Sequence, residues 1–419
     1  MKVLLKAARI IDPESKYHHK KVDILIEEGI ISKIATSIKG IKEVKEINLK
    51  NLHVSKGWFD SSVSFGEPGF EERETIKNGL YTAAKSGFTQ IALNPSTNPV
   101  IDNNGAITSI LSKSQGNAVQ IFTIGALTHR SEGKDLAELY DMHQAGAVAF
   151  GDYKKAITHP NLLKLALLYA QNFNGLVQSF PQDELIAGHG LVNEHENSTS
   201  LGLTGIPSLA EELQIIRDLY ILEYTGGKLH IPTISTVKAV KLIREAKKKG
   251  LDVSCSVAIH NLIFTDNKLS EFDTRYKVLP PLRTKKDTKA LIKGIQDGTI
   301  DFVTSDHTPI DLEHKKIEFE HALFGTIGLE SAFGALSMLF DPVETIELLT
   351  KGRKRFGITE FKFEEGSVAN LSLFDPDFKS NFTKENIVST SKNSMFLNSE
   401  IKGRVYGVIN NNTFVITEE

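Results

Sequence analysis

The feature that most constrains this chain is the alternation of short β-prone runs with longer helical patterns between about residues 54 and 359. The helical segments show apolar residues at three- and four-residue spacing, as in Leu209, Leu213 and Ile216. Eight candidate strands cover residues 54–64, 88–95, 119–127, 147–152, 176–180, 228–235, 251–260 and 301–306. Strands that alternate with helices form parallel β/α units, and eight such units predict a closed (β/α)₈ TIM barrel.

A doubly wound open α/β sheet is the competing architecture. The sequence contains no G-x-G-x-x-G or P-loop motif that would support a nucleotide-binding version of that fold. The two ends of the chain differ from its middle, because they are rich in short β-prone runs such as residues 22–26 and 413–416. We expect residues 1–53 and 363–419 to form one small composite β domain, a β-sandwich, beside a barrel domain of residues 54–362.

Composition and charge exclude several classes of function. The 419 residues carry a formal net charge of −3, which gives no electrostatic reason to expect binding to nucleic acid. No apolar run approaches the roughly 18 residues of a membrane helix, and early charges argue against a signal peptide, so we expect a cytoplasmic protein without membrane contact. The lone Cys255 excludes an intrachain disulfide, and we interpret it as a buried structural thiol.

The end of the first predicted strand contains a recognisable segment, since residues 57–69 read GWFDSSVSFGEPG. This segment resembles the G-x-x-D-x-H-x-H-x-R-E-P-G signature of dihydroorotases and related cyclic amidohydrolases. Ser62 and Ser64 stand where the signature has its two histidines. Asp60 and the run from Glu67 to Gly69 preserve the frame around them.

Further segments resemble the same family, in order along the barrel. The matching segments are GFT at 87–89, NPSTNPVID at 94–102, AFGD at 149–152, KVLPPLR at 277–283, TSDHTP at 304–309 and GLE at 328–330. The resemblance implies a metal-dependent hydrolase barrel whose binuclear metal site, for example of zinc, lies at the carboxyl ends of the strands. It also implies hydrolysis of a cyclic amide in pyrimidine biosynthesis.

The resemblance places the six metal ligands of the family on positions that mostly lack a ligand. These positions are Ser62, Ser64, Asp152, Ser179, Thr233 and Asp306. Only the two aspartates are retained, and neutral hydroxyls do not replace imidazoles as zinc ligands. If each of four losses weakens binding about 10-fold or more, affinity falls by on the order of 10⁴. We therefore expect no metal cofactor.

The residues that grip the substrate carboxylate in the family are changed as well. By resemblance, the arginine after H-x-H falls on Gly66, and the asparagine of P-N-T falls on Ser96. The asparagine of N-P-P-L-R falls on Leu279, and the last histidine of D-H-A-P-H falls on Ile310. A buried carboxylate without a cationic partner is costly, so binding of dihydroorotate is expected to be lost together with the metal.

Asp306 is the family position of both a ligand and the general base. Without a metal it is a weak base with a pKa of about 4 unless buried, and we interpret it as a structural carboxylate capped by backbone amides. Asp152 has the same interpretation, with Lys154 or Lys155 near enough in the sequence to neutralise it.

Three functional hypotheses remain open. The first is an inactive dihydroorotase homologue kept as a scaffold or regulatory partner, for which the resemblance implies aspartate transcarbamoylase as the partner and a homo-oligomeric state. The second is an active dihydroorotase or other cyclic-amide hydrolase with a reduced or rearranged zinc site on Asp306, His307 and a neighbour. The third is a small-molecule sensor that uses the barrel mouth as its pocket. We interpret His230, His260 and His307 as packing residues rather than a relocated metal site.

Overall fold

The computed structural model describes residues 1–417. The amino-terminal segment forms five strands before the barrel begins. These strands are β1 (Lys2–Ile10), β2 (Lys21–Glu27), β3 (Ile30–Ala35), β4 (Lys45–Ile47) and β5 (His53–Lys56).

The middle of the chain alternates strands with helices. Its strands are β6 (Trp58–Val63), β7 (Phe88–Leu93), β8 (Gln120–Gly125), β9 (Ala147–Phe150), β10 (Leu176–Gln178), β11 (Val192–Asn193), β12 (Gly205–Ile206), β13 (Lys228–Ile231), β14 (Val253–Ala258) and β15 (Phe302–Thr304). Its helices are α1 (Ile76–Lys85), α2 (Asn104–Lys113), α3 (Leu139–Gln144), α4 (Pro160–Ala170), α5 (Glu184–Ala187), α6 (Glu196–Leu201), α7 (Ser208–Thr225), α8 (Val237–Lys248), α9 (Ile259–Ile263), α10 (Lys285–Gln296), α11 (Leu329–Leu336), α12 (Pro342–Thr350) and α13 (Gly352–Arg355).

Both ends of the chain share one sheet. The last strands are β16 (Leu371–Asn381), β17 (Glu400–Asn410) and β18 (Thr413–Ile416), and the order in the sheet is β18-β17-β16-β5-β1-β2-β3, with β4 paired to β1. Strand β16 pairs antiparallel with β5, so that Leu373 lies opposite Val54. This sheet has an apolar core of its own, to which Val3, Ile24 and Leu373 contribute.

The barrel follows the parallel strand order β6-β7-β8-β9-β10-β13-β14-β15. It closes where Val63, at the end of β6, forms a parallel bridge with His307 just beyond β15. The apolar interior includes Phe59, Ile124 and Phe302, and the larger core lies between the strands and the surrounding helices. The predicted fold class, a TIM barrel with a small β domain built from both ends, is confirmed, and the doubly wound alternative is wrong.

The predicted strand over residues 54–64 consists of two strands. Residues of β5 belong to the terminal sheet, whereas β6 begins the barrel, and Gly57 separates them. The amide of Gly57 donates to the carbonyl of Asn370 at 2.8 Å. A Cβ atom at position 57 would lie 2.0 Å from Asn370 Oδ1, so only glycine fits where the chain crosses between the sheets.

The helix predicted around Leu209, Leu213 and Ile216 is present as α7, but these three side chains are exposed. None of the helices within residues 1–417 combines the length and the apolar character needed to cross a bilayer.

Asp60 explains why part of the opening segment keeps the family pattern. Its buried carboxylate accepts hydrogen bonds from the Thr304 hydroxyl at 2.5 Å, the Ser305 amide at 2.9 Å and the Ser62 amide at 3.0 Å. The bonds from Thr304 and Ser305 join β6 to the end of β15, where the barrel closes. Asp60 therefore has a structural role that does not require a metal.

We expect Asp60→Ala to lower the free energy of unfolding by about 2–3 kcal/mol, because it leaves buried donors without an acceptor. Urea denaturation followed by circular dichroism measures this change. Glu313→Ala, which removes an exposed carboxylate, is the control and should change stability by less than about 0.5 kcal/mol. Equal losses in the two variants would contradict the closure role of Asp60.

Candidate active site

The six family ligand positions lie at the carboxyl ends of the barrel strands. All six are buried, with side chains at most 7% exposed. The structure brings Ser62, Asp152, Thr233 and Asp306 to one small cavity at the barrel mouth. In a TIM barrel the catalytic residues lie at this mouth. The hydrogen bonds of the residues at the mouth therefore determine whether they can bind a metal ion or act as a base.

Asp306 is held by side chains and not by backbone amides, so the sequence-based interpretation of its environment is wrong. Its Oδ2 atom lies 2.8 Å from the ammonium of Lys154. Its Oδ1 atom accepts from the hydroxyls of Tyr153 at 3.2 Å and Ser62 at 3.3 Å. Tyr153 also lies 2.7 Å from the hydroxyl of Thr308. The carboxylate is thus paired with a cation supplied by the chain itself.

The expectation that Lys154 or Lys155 neutralises Asp152 is also wrong. Asp152 Oδ1 accepts from the amides of Leu127 and Thr128, both at 3.0 Å, and Oδ2 accepts from the Thr128 hydroxyl. Lys155 donates to a backbone carbonyl at 3.1 Å. The two retained aspartates therefore have different environments, one capped by local donors and the other ion-paired.

Burial and charge act against each other in the Lys154–Asp306 pair. Burial raises the pKa of the Asp306 carboxyl above its ordinary value, and the charge of Lys154 opposes this shift. Desolvation lowers the pKa of Lys154, but the charges of Asp306 and Tyr153 and the hydrogen bonds to both together outweigh it, so the pKa of Lys154 lies above its ordinary value. The ammonium stays protonated at neutral pH and uses a carboxylate oxygen that a metal ion would need.

Three of the four hydroxyls that replace the family histidines, those of Ser62, Ser64 and Ser179, form hydrogen bonds with other side chains. The side-chain amide of Asn94 donates to Ser62 Oγ at 3.1 Å and to Ser64 Oγ at 3.2 Å. Ser179 Oγ donates at 2.6 Å to the carboxylate of Asp218 on α7. Sequence reasoning missed the roles of Asn94 and Asp218, because no family motif places a functional residue at either position.

Two of the family ligand positions have a left-handed backbone. Thr233 has φ 51° and Asp306 has φ 49°, a region that non-glycine residues seldom adopt and that is an outlier for β-branched threonine. Such a conformation costs about 1–3 kcal/mol and persists only where surrounding contacts fix it. Here the amide of Thr233 donates to Ser256 Oγ at 3.3 Å, and the amide of Asp306 donates to Thr304 Oγ1 at 3.1 Å.

The cavity at the mouth has a volume of about 20 Å³. This is room for about one water molecule. Side chains of Tyr153, Lys154, Phe180 and His230 are among those that line it. A cyclic amide does not fit, so the mouth is filled by the chain's own side chains and is not the open pocket that a sensor would use.

The four positions of the carboxylate grip do not form an anion site. Leu279 and Ile310 are apolar and buried. The hydroxyl of Ser96 has no hydrogen-bond partner among residues 1–417. A Cβ atom at position 66 would lie 1.7 Å from the carbonyl oxygen of Phe70, so Gly66 leaves no room for an arginine.

The histidines on the late strands are buried, and His307 and His230 form hydrogen bonds with neighbouring residues. His307 Nδ1 accepts from the amides of Gly328 at 3.2 Å and Leu329 at 3.4 Å, at the start of α11. His230 lies 2.9 Å from Ser254 Oγ through Nδ1. Burial lowers the pKa of His307 to about 3, so it is neutral at physiological pH.

The residues at the mouth do not fit a zinc centre. Within residues 1–417, no three side chains of His, Cys, Asp or Glu form a group that can hold a metal ion. Zinc needs at least three such donors from the protein in a catalytic site. Asp306 and His307 have no third donor of this kind, and both are already engaged with other groups.

Comparison with known proteins identifies the family. The family model for dihydro-orotase-like proteins matches residues 53–239. A protein named dihydroorotase from Syntrophus aciditrophicus is 36% identical over 413 residues, which cover 97% of this chain and 97% of that protein. Another protein of that name, from Pelotomaculum thermopropionicum, is 36% identical over 416 residues, which cover 98% of this chain and 97% of that protein.

A solved structure supports the fold independently. The L-hydantoinase (dihydropyrimidinase) from Arthrobacter aurescens matches with a TM-score of 0.84 and 20% identity, over 100% of this chain and 97% of that one. At that identity the likeness concerns the fold alone. The resemblance read from the sequence is confirmed by the full-length relatives: this chain belongs to the dihydroorotase-like family.

Proposed function

We propose that this chain is a dihydroorotase-family protein without hydrolytic activity, which serves pyrimidine biosynthesis as a scaffold or regulatory partner. The observation that carries the proposal is the Lys154–Asp306 ion pair in a mouth with room for about one water molecule. That the protein holds no metal cofactor is part of the same proposal. Aspartate transcarbamoylase is the partner that the family resemblance supports.

The proposal rests on the state of the would-be general base. A general base must have a free lone pair within about 2.6–3.2 Å of the proton that it takes up. One oxygen of Asp306 pairs with Lys154, and the other accepts from Tyr153 and Ser62. The cavity beside Asp306 has room for about one water molecule, and Gly66 leaves no room for the arginine of the carboxylate grip.

The names of the full-length relatives favour a second candidate, an active dihydroorotase or cyclic-amide hydrolase with a reduced or rearranged site. For this candidate, Lys154 must leave Asp306 and the mouth must open to admit both substrate and a metal ion. A substrate-driven rearrangement of this size would break the ion pair and the hydrogen bonds of Tyr153 and Ser62 together.

Metal content and hydrolysis separate the two candidates. We expect the purified protein to retain far less than one equivalent of zinc after dialysis, as measured by inductively coupled plasma mass spectrometry. We also expect it to hydrolyse dihydroorotate no faster than Asp306→Asn. A positioned general base accelerates a reaction by about 10²–10⁴-fold, so a wild-type rate that exceeds the variant rate by this factor would establish the second candidate.

A further inference from the structure

A large cleft lies between loops at the mouth end of the barrel. Its walls come mainly from residues 272–275 after β14, residues 310–318 after β15 and residues 390–393 between β16 and β17, and its volume is about 950 Å³. Pockets that bind small molecules have volumes of about 300–1,000 Å³. None of residues 1–417 lines both this cleft and the cavity of about 20 Å³ at the mouth. We name it the loop cleft.

The loop cleft has an apolar wall. Phe272, Leu312 and Ile317 contribute to it, and they are 46%, 70% and 42% exposed. Ile310 is the one position of the family carboxylate grip on this wall, and it is apolar and buried. The wall therefore suits the apolar body of a ligand. Exposed charged residues of both signs also line the cleft, among them Glu72, Lys316, Glu318 and Lys392.

Lys315 is a buried cation on the wall of the loop cleft. It is 5% exposed, and its ammonium donates to the carbonyls of Thr274 at 2.8 Å and Lys277 at 3.1 Å. An ammonium has three hydrogens to donate, so these two bonds leave one unused. Among the residues described, its hydrogen-bond partners are carbonyls and not carboxylates. Lys315 thus lacks the anionic partner that a buried charge requires.

The charges around Lys315 do not neutralise it. Asp273 has the opposite charge, but the guanidinium of Arg275 already binds both of its oxygens, at 3.0 and 2.8 Å. Burial, followed by the like charges of Lys277 and Lys154, lowers the pKa of Lys315 to about 7. At neutral pH the ammonium therefore gives up its proton readily unless an anion binds beside it.

The neighbouring charged groups are engaged in the same way. Lys277 is 2% exposed, and its ammonium donates to the carbonyls of Phe319 at 2.8 Å and Glu320 at 2.9 Å. The carboxylate of Asp311 accepts from Arg73 at 3.2 Å and lies 2.7 Å from His314 Nδ1. Two buried ammonium groups without a carboxylate partner leave an excess of positive charge at the inner wall of the loop cleft.

We propose that the loop cleft binds a small organic carboxylate, whose head accepts the unused hydrogen of Lys315 and whose apolar body lies against Phe272, Leu312 and Ile317. A monoanion suits this site better than a phosphate, because Glu318 and the other carboxylates of the cleft repel a second negative charge. A phosphate would also leave the apolar wall uncovered. The proposal goes beyond the scaffold role, since it concerns a site outside the mouth and is tested by binding and not by hydrolysis.

Isothermal titration calorimetry with simple probes tests the chemistry of the site. At pH 6 the full-length protein is expected to bind hexanoate at one site. Acetate, which lacks the alkyl chain that covers the apolar wall, is expected to bind at least about 10-fold more weakly. Hexanol, which lacks the charge, is expected to be weaker by at least about 10-fold as well. Equal affinity for hexanoate and hexanol, tighter binding of inorganic phosphate, or no saturable binding at millimolar hexanoate would overturn the proposal.

The pH dependence of binding tests whether Lys315 is the partner of the anion. A carboxylate such as hexanoate stays ionised above pH 6, and exposed lysines keep their charge up to about pH 10. Lys315 loses its proton above about pH 7. The dissociation constant of hexanoate is therefore expected to be level below pH 7 and to rise by about 10-fold for each pH unit well above it. A dissociation constant that stays level from pH 6 to pH 9 would exclude Lys315 from the site.

Two variants test the same contacts. Lys315→Met is expected to weaken hexanoate binding at least about 10-fold and to remove its dependence on pH, because the charged donor is lost. Lys315 also holds the turn at Thr274, so Leu312→Glu, at an exposed position, is a second variant that leaves the fold intact. Its carboxylate is expected to repel hexanoate and weaken binding at least about 10-fold. Leu185→Glu, at a position that is 94% exposed and outside the cleft, is the control and should bind like the wild type. If Leu312→Glu binds hexanoate as tightly as this control, the loop cleft is not the binding site.

Discussion

Replacing Lys154 by methionine is expected to lower the free energy of unfolding by about 3–5 kcal/mol. The substitution leaves the carboxylate of Asp306 buried without its cation, and breaking a buried ion pair by removing one partner has a cost of about this size. Asp306 is 1% exposed, so bulk water does not reach the carboxylate to replace the lost ammonium. Urea denaturation monitored by circular dichroism gives the free energy directly.

Two further variants show whether the loss arises from the unpaired charge. Lys155→Met removes the neighbouring lysine, which is exposed, and should change stability by less than about 0.5 kcal/mol. Lys154→Met combined with Asp306→Asn removes both charges and should recover most of the stability. If the double variant is as unstable as Lys154→Met, the methylene chain of Lys154 and not its charge would be the stabilising element.

Acidification is expected to destabilise the protein through His260. Burial lowers the pKa of His260 to about 3, whereas an unfolded histidine has a pKa near 6.5. Below pH 6.5 the unfolded chain binds a proton at this residue that the folded chain does not bind. The free energy of unfolding therefore decreases as the pH is lowered from 6.5 to about 3. Between pH 7 and pH 4 the loss from this one residue is about 3 kcal/mol. Burial lowers the pKa of His230 as well, and its contribution has the same sign.

The measurement must compare variants, because buried carboxylates also contribute to the pH dependence of stability. Burial raises the pKa of Asp60 and Glu211, for example, and their contributions favour the folded state as pH falls. The difference between wild type and His260→Leu, measured by urea denaturation from pH 7 to pH 4, isolates the histidine. His189→Leu, at an exposed position, is the control. If wild type and His260→Leu lose stability in parallel over this range, the pKa assigned to His260 is wrong.

The barrel could be predicted from the sequence because its signals are local. Each barrel strand is a short apolar run, and each helix repeats its apolar residues at three- and four-residue spacing, so the order of elements is readable without tertiary contacts. The family segments lie at the ends of these strands, so the sequence alone places Ser62, Asp152 and Asp306 at one end of the barrel. The structure puts these three residues at the same cavity.

The partners at the site could not be predicted, because they are distant in sequence. Lys154 lies two residues from Asp152, and proximity along the chain favoured that pairing. The observed partner, Asp306, is 152 residues away. At the end of a strand, the local backbone sets the direction of each side chain. The tertiary fold then determines which distant residue that side chain contacts. Periodicity likewise located α7 but did not show that Leu213 and Ile216 are exposed while Glu211 is buried.

The turn at Gly66 has a consequence for which residues can stand at the rim of the barrel mouth. The turn is fixed by hydrogen bonds of Gly66 with Glu74 and with Phe70, both at 2.8 Å. An arginine at position 66 would meet the Phe70 carbonyl unless these bonds break first. Replacing Gly66 by arginine is therefore expected to lower stability before the new side chain can bind an anion. The conformation of this one turn therefore restricts position 66 to glycine, whatever residues stand at positions 62 and 64.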